Sequence, residues 1–248
     1  VRFDPFLLFD DFSSSVPEHY LAGFPWHPHR GMETVTYLLD GVIRHKDSLG
    51  NEGVIENGAV QWMTAGSGII HEEMPESSQG IRGFQLWVNL PKEKKMTPPQ
   101  YQDARAGIVP EVSLAPGARA RIVAGTLANV QGAIKSISGN PLYADIILES
   151  NREVVIPVVS GHTVFAYVIE GVLNVGEVSY APGTIILFER EGDSMLLRTP
   201  ATGARFLLIA GAPLNEPIAW HGPIVMNTEE ELRTAFAQLR DGTFIHSS

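Results

Sequence analysis

The sequence contains no cysteine, so it can form no disulfide and no thiolate metal site, and histidine and carboxylate remain as its strong ligands. It also lacks a long lysine and arginine run. Its 18 basic and 28 acidic residues give a formal net charge of −10, which argues against the phosphate attraction that drives direct nucleic-acid binding. No apolar stretch approaches the roughly 20 residues of a membrane helix, and residues 1–25 lack a basic start followed by an apolar core. The expectation is a folded, soluble, monomeric protein of the cytoplasm, or of the nucleus in a eukaryote, without membrane contact. Val1 leads almost at once into the apolar stretch Phe6 to Phe9, so an upstream segment is expected to precede it.

Glycine and proline are spread along the chain, and the segments between them are short and rich in β-branched and aromatic residues. Glu33 to Leu39, Ala59 to Thr64, Gly83 to Leu90, Arg119 to Ala124, Leu142 to Leu148, Val164 to Ile169, Thr184 to Phe188 and Ala204 to Ile209 read as strands. Many short strands separated by such turns predict an all-β sandwich or barrel. One helix stands out: Thr228 and Glu231 have capping-box spacing, and Leu232, Ala235, Phe236 and Leu239 recur at helical spacing until Gly242.

A weak internal repeat predicts two barrels. Leu38-Leu39-Asp40-Gly41 answers to Val168-Ile169-Glu170-Gly171, and Asn57-Gly58-Ala59-Val60 to Pro182-Gly183-Thr184-Ile185. The stretch Pro91 to Asp103, with three lysines and the pair Pro98-Pro99, suits an exposed connector. The reading is an N-terminal barrel over residues 1–104 and a C-terminal barrel over 113–248 that ends in the helix.

The chemistry lies in two segments. In Trp26-His27-Pro28-His29, residues two apart on a strand share a face, so two imidazoles can aim at one point. Pro28 cannot donate to a sheet ladder, which puts this strand at an edge. His71-Glu72-Glu73 repeats the spacing; two such pairs on neighbouring strands would place three imidazoles and a carboxylate around iron, manganese, nickel, copper or zinc. Glu72 then points the other way. Glu33 also lies on the His29 face, and in the wider cupin pattern the residue at that spacing is a ligand, so Glu33 competes with Glu73 for the fourth position. The isolated His19, His45, His162, His221 and His246 read as ordinary hydrogen-bonded residues. Counting from the repeat glycines puts Pro157, Val159, Leu196 and Arg198 where the second barrel would need ligands, which predicts a metal-free, structural second barrel. Trp62, Met63, Gln85 and Trp87 read equally well as pocket lining or as barrel core.

Phe24-Pro-Trp-His-Pro-His-Arg-Gly-Met-Glu-Thr-Val, Gln61-Trp-Met-Thr-Ala-Gly-Ser-Gly-Ile-Ile-His-Glu-Glu-Met-Pro and Leu86-Trp-Val-Asn-Leu resemble the pirin family. Asp4-Pro-Phe-Leu-Leu-Phe-Asp and His221-Gly-Pro-Ile-Val-Met-Asn-Thr extend the likeness over nearly the whole chain. The basic segment that precedes Asp4 in some members is missing. The resemblance implies a bicupin, two cupin-type β-barrels with one metal, usually iron, held by His27, His29, His71 and Glu73; Glu33 then becomes a neighbour of the site. It further implies a dioxygenase that opens the central ring of a flavonol such as quercetin with O2 and releases carbon monoxide, Glu73 serving also as base. A second reading is a metal- or redox-responsive regulator that binds a transcription factor or metabolic enzyme, the acidic surface favouring a basic partner. A third is a non-redox cupin acting on a small sugar or acid.

Overall fold

The computed structural model describes residues 2–76, 80–135 and 137–245; His246 lies outside them. Contacts divide the chain into two units, Pro5–Ala106 with Leu214–Ser248, and Val1–Asp4 with Gly107–Pro213.

In the first unit the strands are β1 (Phe6–Asp11), β2 (Phe24–His29), β3 (Met32–Asp40), β4 (Ile43–Asp47), β5 (Glu52–Ile55), β6 (Val60–Thr64), β7 (Ile69–Pro75), β8 (Arg82–Asn89) and β9 (Gln100–Ala104), with a short helix α1 (Pro17–Tyr20) between β1 and β2. They form two antiparallel sheets, ordered β1-β8-β3-β6-β9 and β2-β7-β4-β5. Thr36 of the first sheet donates to Glu73 of the second, so the sheets face each other across a common interior. That interior is polar: Thr36, His45, Gln61, His71, Glu73 and Gln85 are all buried. Apolar clusters of this unit include Tyr20, Leu38, Ile43, Ile55, Ala59 and Ile81.

The second unit carries β10 (Glu111–Ala115), β11 (Ala118–Ala124), β12 (Thr126–Leu127), β13 (Val130–Gln131), β14 (Leu142–Leu148), β15 (Glu153–Pro157), β16 (Thr163–Gly171), β17 (Leu173–Val175), β18 (Val178–Tyr180), β19 (Ile185–Leu187), β20 (Ser194–Arg198) and β21 (Ala204–Gly211). Its sheets are ordered β10-β11-β14-β21-β16-β19 and β15-β20-β17-β18. The internal repeat is visible in this topology: β3 lies between β8 and β6 as β16 lies between β21 and β19. Here the enclosed residues are apolar, among them Ile122, Ile146, Val154, Ile156, Val168, Leu173, Leu197, Phe206 and Leu208. The two barrels share a plan and differ in what fills them.

Residues Leu214–Ser248 group with the first unit, whereas the sequence reading places the helix with the C-terminal barrel. This segment holds the hairpin β22 (Ala219–His221) and β23 (Ile224–Met226) and the helix α2 (Glu229–Arg240). Leu232 and Ala235 of the helix pack with Ala219, Ile224, Met226 and Phe244, and Ile70 of β7 joins that cluster. Two buried cations sit at the same junction. Arg30 donates to Gln238 at 2.6 Å and to the Phe244 carbonyl at 2.8 Å, with its guanidinium 4.1 Å from the Phe244 ring centroid. Lys95 Nζ donates to the carbonyls of Gly31 and Val225 and to Asn89 Oδ1. Burial pulls Lys95 down to about 8, with Glu216 and Glu231 opposing, and Arg30 to about 10, so both stay cationic near neutrality and their buried charge is met by these acceptors. Gly31 is required where the chains touch: its φ is +75°, and a Cβ there would stand 2.0 Å from the Val225 carbonyl oxygen.

The capping box of α2 forms as its spacing predicts. The Thr228 side chain accepts from the Glu231 amide, and Glu231 accepts from the Thr228 amide. Thr228→Ala is expected to lower stability by about 1 kcal/mol, read as a shift of roughly 2–4 °C in the unfolding midpoint; an unchanged midpoint would show that the cap contributes nothing.

Candidate metal centre

β2 is an edge strand, paired only with β7, as its prolines require. The register sets His27 opposite His71, Pro28 opposite Ile70 and His29 opposite Ile69. His27, His29 and His71 are thereby brought together, each offering a nitrogen, with the three nitrogens within 4.8 Å of one another. This is the one such group found among the described residues.

The tautomers follow from the hydrogen bonds. His27 Nδ1 lies 2.9 Å from the Pro25 carbonyl oxygen; a carbonyl only accepts, so the proton sits on Nδ1 and Nε2 keeps a free lone pair. That Nε2 lies 3.0 Å from His71 Nε2. Two nitrogens bound at right angles to one cation, with bonds of about 2.1 Å, stand about 3.0 Å apart. His29 is fully buried and neither ring nitrogen makes a hydrogen bond of full geometry. Burial holds His71 down to about 4, with Glu73 opposing and His27 adding to the effect. Burial also pushes His29 well below the usual histidine range, with His71 and His27 acting the same way. The inward-facing Nε2 of His27, together with the imidazoles of His29 and His71 that burial keeps neutral, suits a divalent transition metal, which needs the lone pairs a proton would occupy.

Glu73 is also buried, on the His71 face of β7, but its carboxylate lies outside the three-histidine group. One oxygen accepts from Thr36 Oγ1 at 3.0 Å and the other from Gln85 Nε2 at 2.8 Å. Glu33 is elsewhere. Its neighbours across β3 are Thr64 and Val88, whereas Thr36, three residues on, pairs with Gln85; strand alternation therefore turns Glu33 to the face opposite Thr36. There it accepts from Thr64 Oγ1 at 2.7 Å, and burial pushes it up to about 7. The competition at the fourth position thus has a geometric answer as far as faces go: Glu73 shares the histidines' interior and Glu33 does not.

The other histidines vary in surroundings. His19 meets Ser14. His45 lies inside the barrel, bonded to Gln61 and stacked on Tyr101. His162 lies in the second unit, and His221 packs edge-on against Phe236. In the second barrel the pairs that occupy the place of His27 and His71 are Ile156 with Met195 and Val154 with Leu197, all buried. Pro157, Leu196 and Arg198, reached by counting from the repeat glycines, are exposed. Loop lengths shift the count by one, and one residue reverses the face. The enclosed residues of these two pairs are apolar.

Above His27 opens a cavity of about 820 Å³. One wall is the β1–β8 pair, where Leu8 stands beside Trp87 and Asp10 beside Gln85. Phe24 and Trp26 of β2 form a second wall, and Trp220, His221 and Pro223 of the C-terminal hairpin form a third. The Trp220 indole donates to the Gly222 carbonyl at 2.6 Å, which fixes its plane. Of the four residues left undecided by sequence, Gln85 and Trp87 line this cavity, while Trp62 and Met63 are buried away from its lining. The segment from His221 carries part of the family likeness, but nothing local in the sequence ties residues 220–223 to His27.

Two facing antiparallel sheets that close around three clustered histidines define a cupin-type barrel. Family comparison agrees: the pirin model matches residues 1–88 and the pirin C-terminal cupin domain matches residues 143–245. The chain belongs to the pirin family. A Pseudomonas aeruginosa protein provisionally named a quercetin 2,3-dioxygenase is 47% identical over 97% of this chain and 87% of its own length. Human pirin is 40% identical over 96% of this chain and 82% of its own. The crystal structure of a quercetin 2,3-dioxygenase from Acinetobacter baumannii superposes with a TM-score of 0.89 at 36% identity, covering 98% of this chain and 87% of that one.

Proposed function

We propose that this protein is a metal-dependent dioxygenase that opens the central ring of a flavonol such as quercetin with O2 and releases carbon monoxide, and that His27, His29, His71 and Glu73 hold the metal. The observation that carries the reading is the convergence of three imidazoles, one of which, His27, lines an aromatic-walled cavity. Iron is the metal proposed first. When bound, the metal would make a coordinated substrate hydroxyl more acidic and supply the redox chemistry with O2.

The chain's own residues account for the rest. Phe24, Trp26, Trp87 and Trp220 offer flat apolar faces to a planar polyphenol. Glu73, held by Thr36 and Gln85, accepts the proton of the substrate hydroxyl. His27 is oriented by the Pro25 carbonyl and His29 by the edge of the Trp87 ring, at a centroid distance of 5.3 Å, so the imidazoles are set before a ligand arrives. The kinship with the two proteins named for quercetin dioxygenation supports the substrate class.

Protein loaded in turn with iron, nickel, manganese, copper and zinc is expected, with at least one of them, to bleach flavonol absorbance in air, release carbon monoxide and do neither anaerobically. Absence of oxygen-dependent turnover with every metal would overturn the reading.

A further inference from the structure

We infer that Gln85 is a positioning residue for the Glu73 carboxylate and that Trp87, in the cavity wall, fixes the orientation of Gln85. The inference rests on the proposed metal site and adds to it the residues through which the cavity wall reaches the carboxylate.

The argument starts from donor chemistry. A side-chain amide can be turned end for end, and its oxygen and nitrogen are then told apart only by their partners. An indole N–H can only donate. Trp87 Nε1 lies 2.8 Å from one end of the Gln85 amide, so that end must be the oxygen. The NH2 end therefore faces inward, where it donates to Glu73 Oε2 at 2.8 Å and to Thr36 Oγ1 at 3.2 Å. Having accepted there, the Thr36 hydroxyl turns its own proton to Glu73 Oε1 at 3.0 Å. Every donor in the chain from Trp87 to Glu73 has one acceptor available, and the direction of each bond follows from the indole.

Strand geometry makes this arrangement stiff. Thr36 and Gln85 are direct cross-strand neighbours on β3 and β8, and Gln85 and Trp87 are two residues apart on one face of β8. Gln85 is 8% exposed, so its amide is largely shielded from solvent. Both donors to Glu73 are neutral, so they orient the carboxylate without cancelling the charge a cation would use. Trp87 has a second contact, the edge-to-face packing on His29. One half-buried wall residue thus touches a candidate ligand directly and reaches another through a single amide.

Two variants test this. Trp87→Phe keeps an aromatic ring beside His29 and removes the N–H, freeing the Gln85 amide to turn. Gln85→Leu keeps volume and removes both donors. Each is loaded with Co(II) and followed by its visible spectrum and its dissociation constant, with flavonol kinetics alongside. Gln85→Leu is expected to weaken Co(II) binding about 10- to 100-fold, in the range seen when outer-shell partners of ligands are lost, and to change the cobalt bands. Trp87→Phe is expected to show the same band change, with kcat lowered about 10-fold and KM within about threefold. Wild-type bands and affinity in both folded variants would overturn the inference and leave the metal site standing. If Gln85→Leu does not fold, the cobalt spectrum of Trp87→Phe decides alone. A wild-type protein that binds no Co(II) would remove the inference together with the reading on which it rests.

Discussion

Replacing His71 with alanine is expected to empty the site of metal, with content after dialysis falling below about one-tenth of an equivalent per chain and the dissociation constant rising more than about 100-fold, beyond the cost of losing an outer-shell partner. The reason is geometric. His71 is 1% exposed, and its Nε2 is the atom facing His27 at 3.0 Å; without it the remaining imidazoles lie on one strand. His45→Ala provides the contrast, since His45 is equally enclosed in the barrel but stands outside the three-histidine group; its metal content should stay near one equivalent. Glu73→Gln tests the fourth ligand, with an expected loss of about 10- to 100-fold in affinity. Elemental analysis and competition titration read all three, and a His71→Ala protein that keeps a full equivalent at wild-type affinity would end the proposal.

The second large effect concerns pH and a carboxylate that faces away from the site. Glu33 is buried and raised to about 7, chiefly by burial, against about 4.5 in an unfolded chain. A folded pKa above the unfolded one means that folding takes up a proton between these values, so the stabilisation is present below about 4.5 and lost as pH rises through about 7. Glu33→Gln carries no charge at any pH and can still accept from Thr64. It should match the wild type near pH 4 and exceed its stability by about 3 kcal/mol at pH 8, from 2.5 pH units at 1.36 kcal/mol each. In the metal-free protein His71 acts in the opposite sense. Its folded value of about 4 lies below the unfolded 6.5, so the unfolded chain binds the extra proton and acid costs roughly 3 kcal/mol between those values. In the wild type the Glu33 slope opposes that of His71 and that of His29, which burial also pushes down. Glu33→Gln removes the first of these and should reveal a steep acid loss between pH 6.5 and 4, followed by urea unfolding in the presence of a chelator. A difference between variant and wild type that does not change with pH would show that Glu33 ionises normally.

Strand residues were legible from sequence where short segments rich in β-branched and aromatic residues lay between turn residues. Leu142–Leu148 was read with its observed bounds, and the α2 capping box closes on Thr228 and Glu231 as their spacing requires. The paired histidines were legible because a period of two places His27 with His29 and His71 with Glu73 whatever the rest of the chain does. Glu33 was misjudged because the rule holds within a strand. β2 ends at His29 and β3 begins at Met32, and the turn between them, with Gly31 in the left-handed region, breaks the alternation that would have put Glu33 on the histidine face.

By itself, then, the sequence determined the repeated β architecture and the pairing of His27 with His29, and of His71 with Glu73, on shared strand faces. The tertiary structure alone decided that residues 214–245 pack on the first unit, that Trp220 and Pro223 wall the cavity, and that Gln85 turns its amide toward Glu73. The difference is physical: spacing along a strand fixes which face a side chain takes, through covalent geometry alone. Which distant segment packs on that face, and which way an amide turns, depend on buried partners such as Arg30, Lys95 and Trp87, whose contacts exist only once the chain has closed on itself.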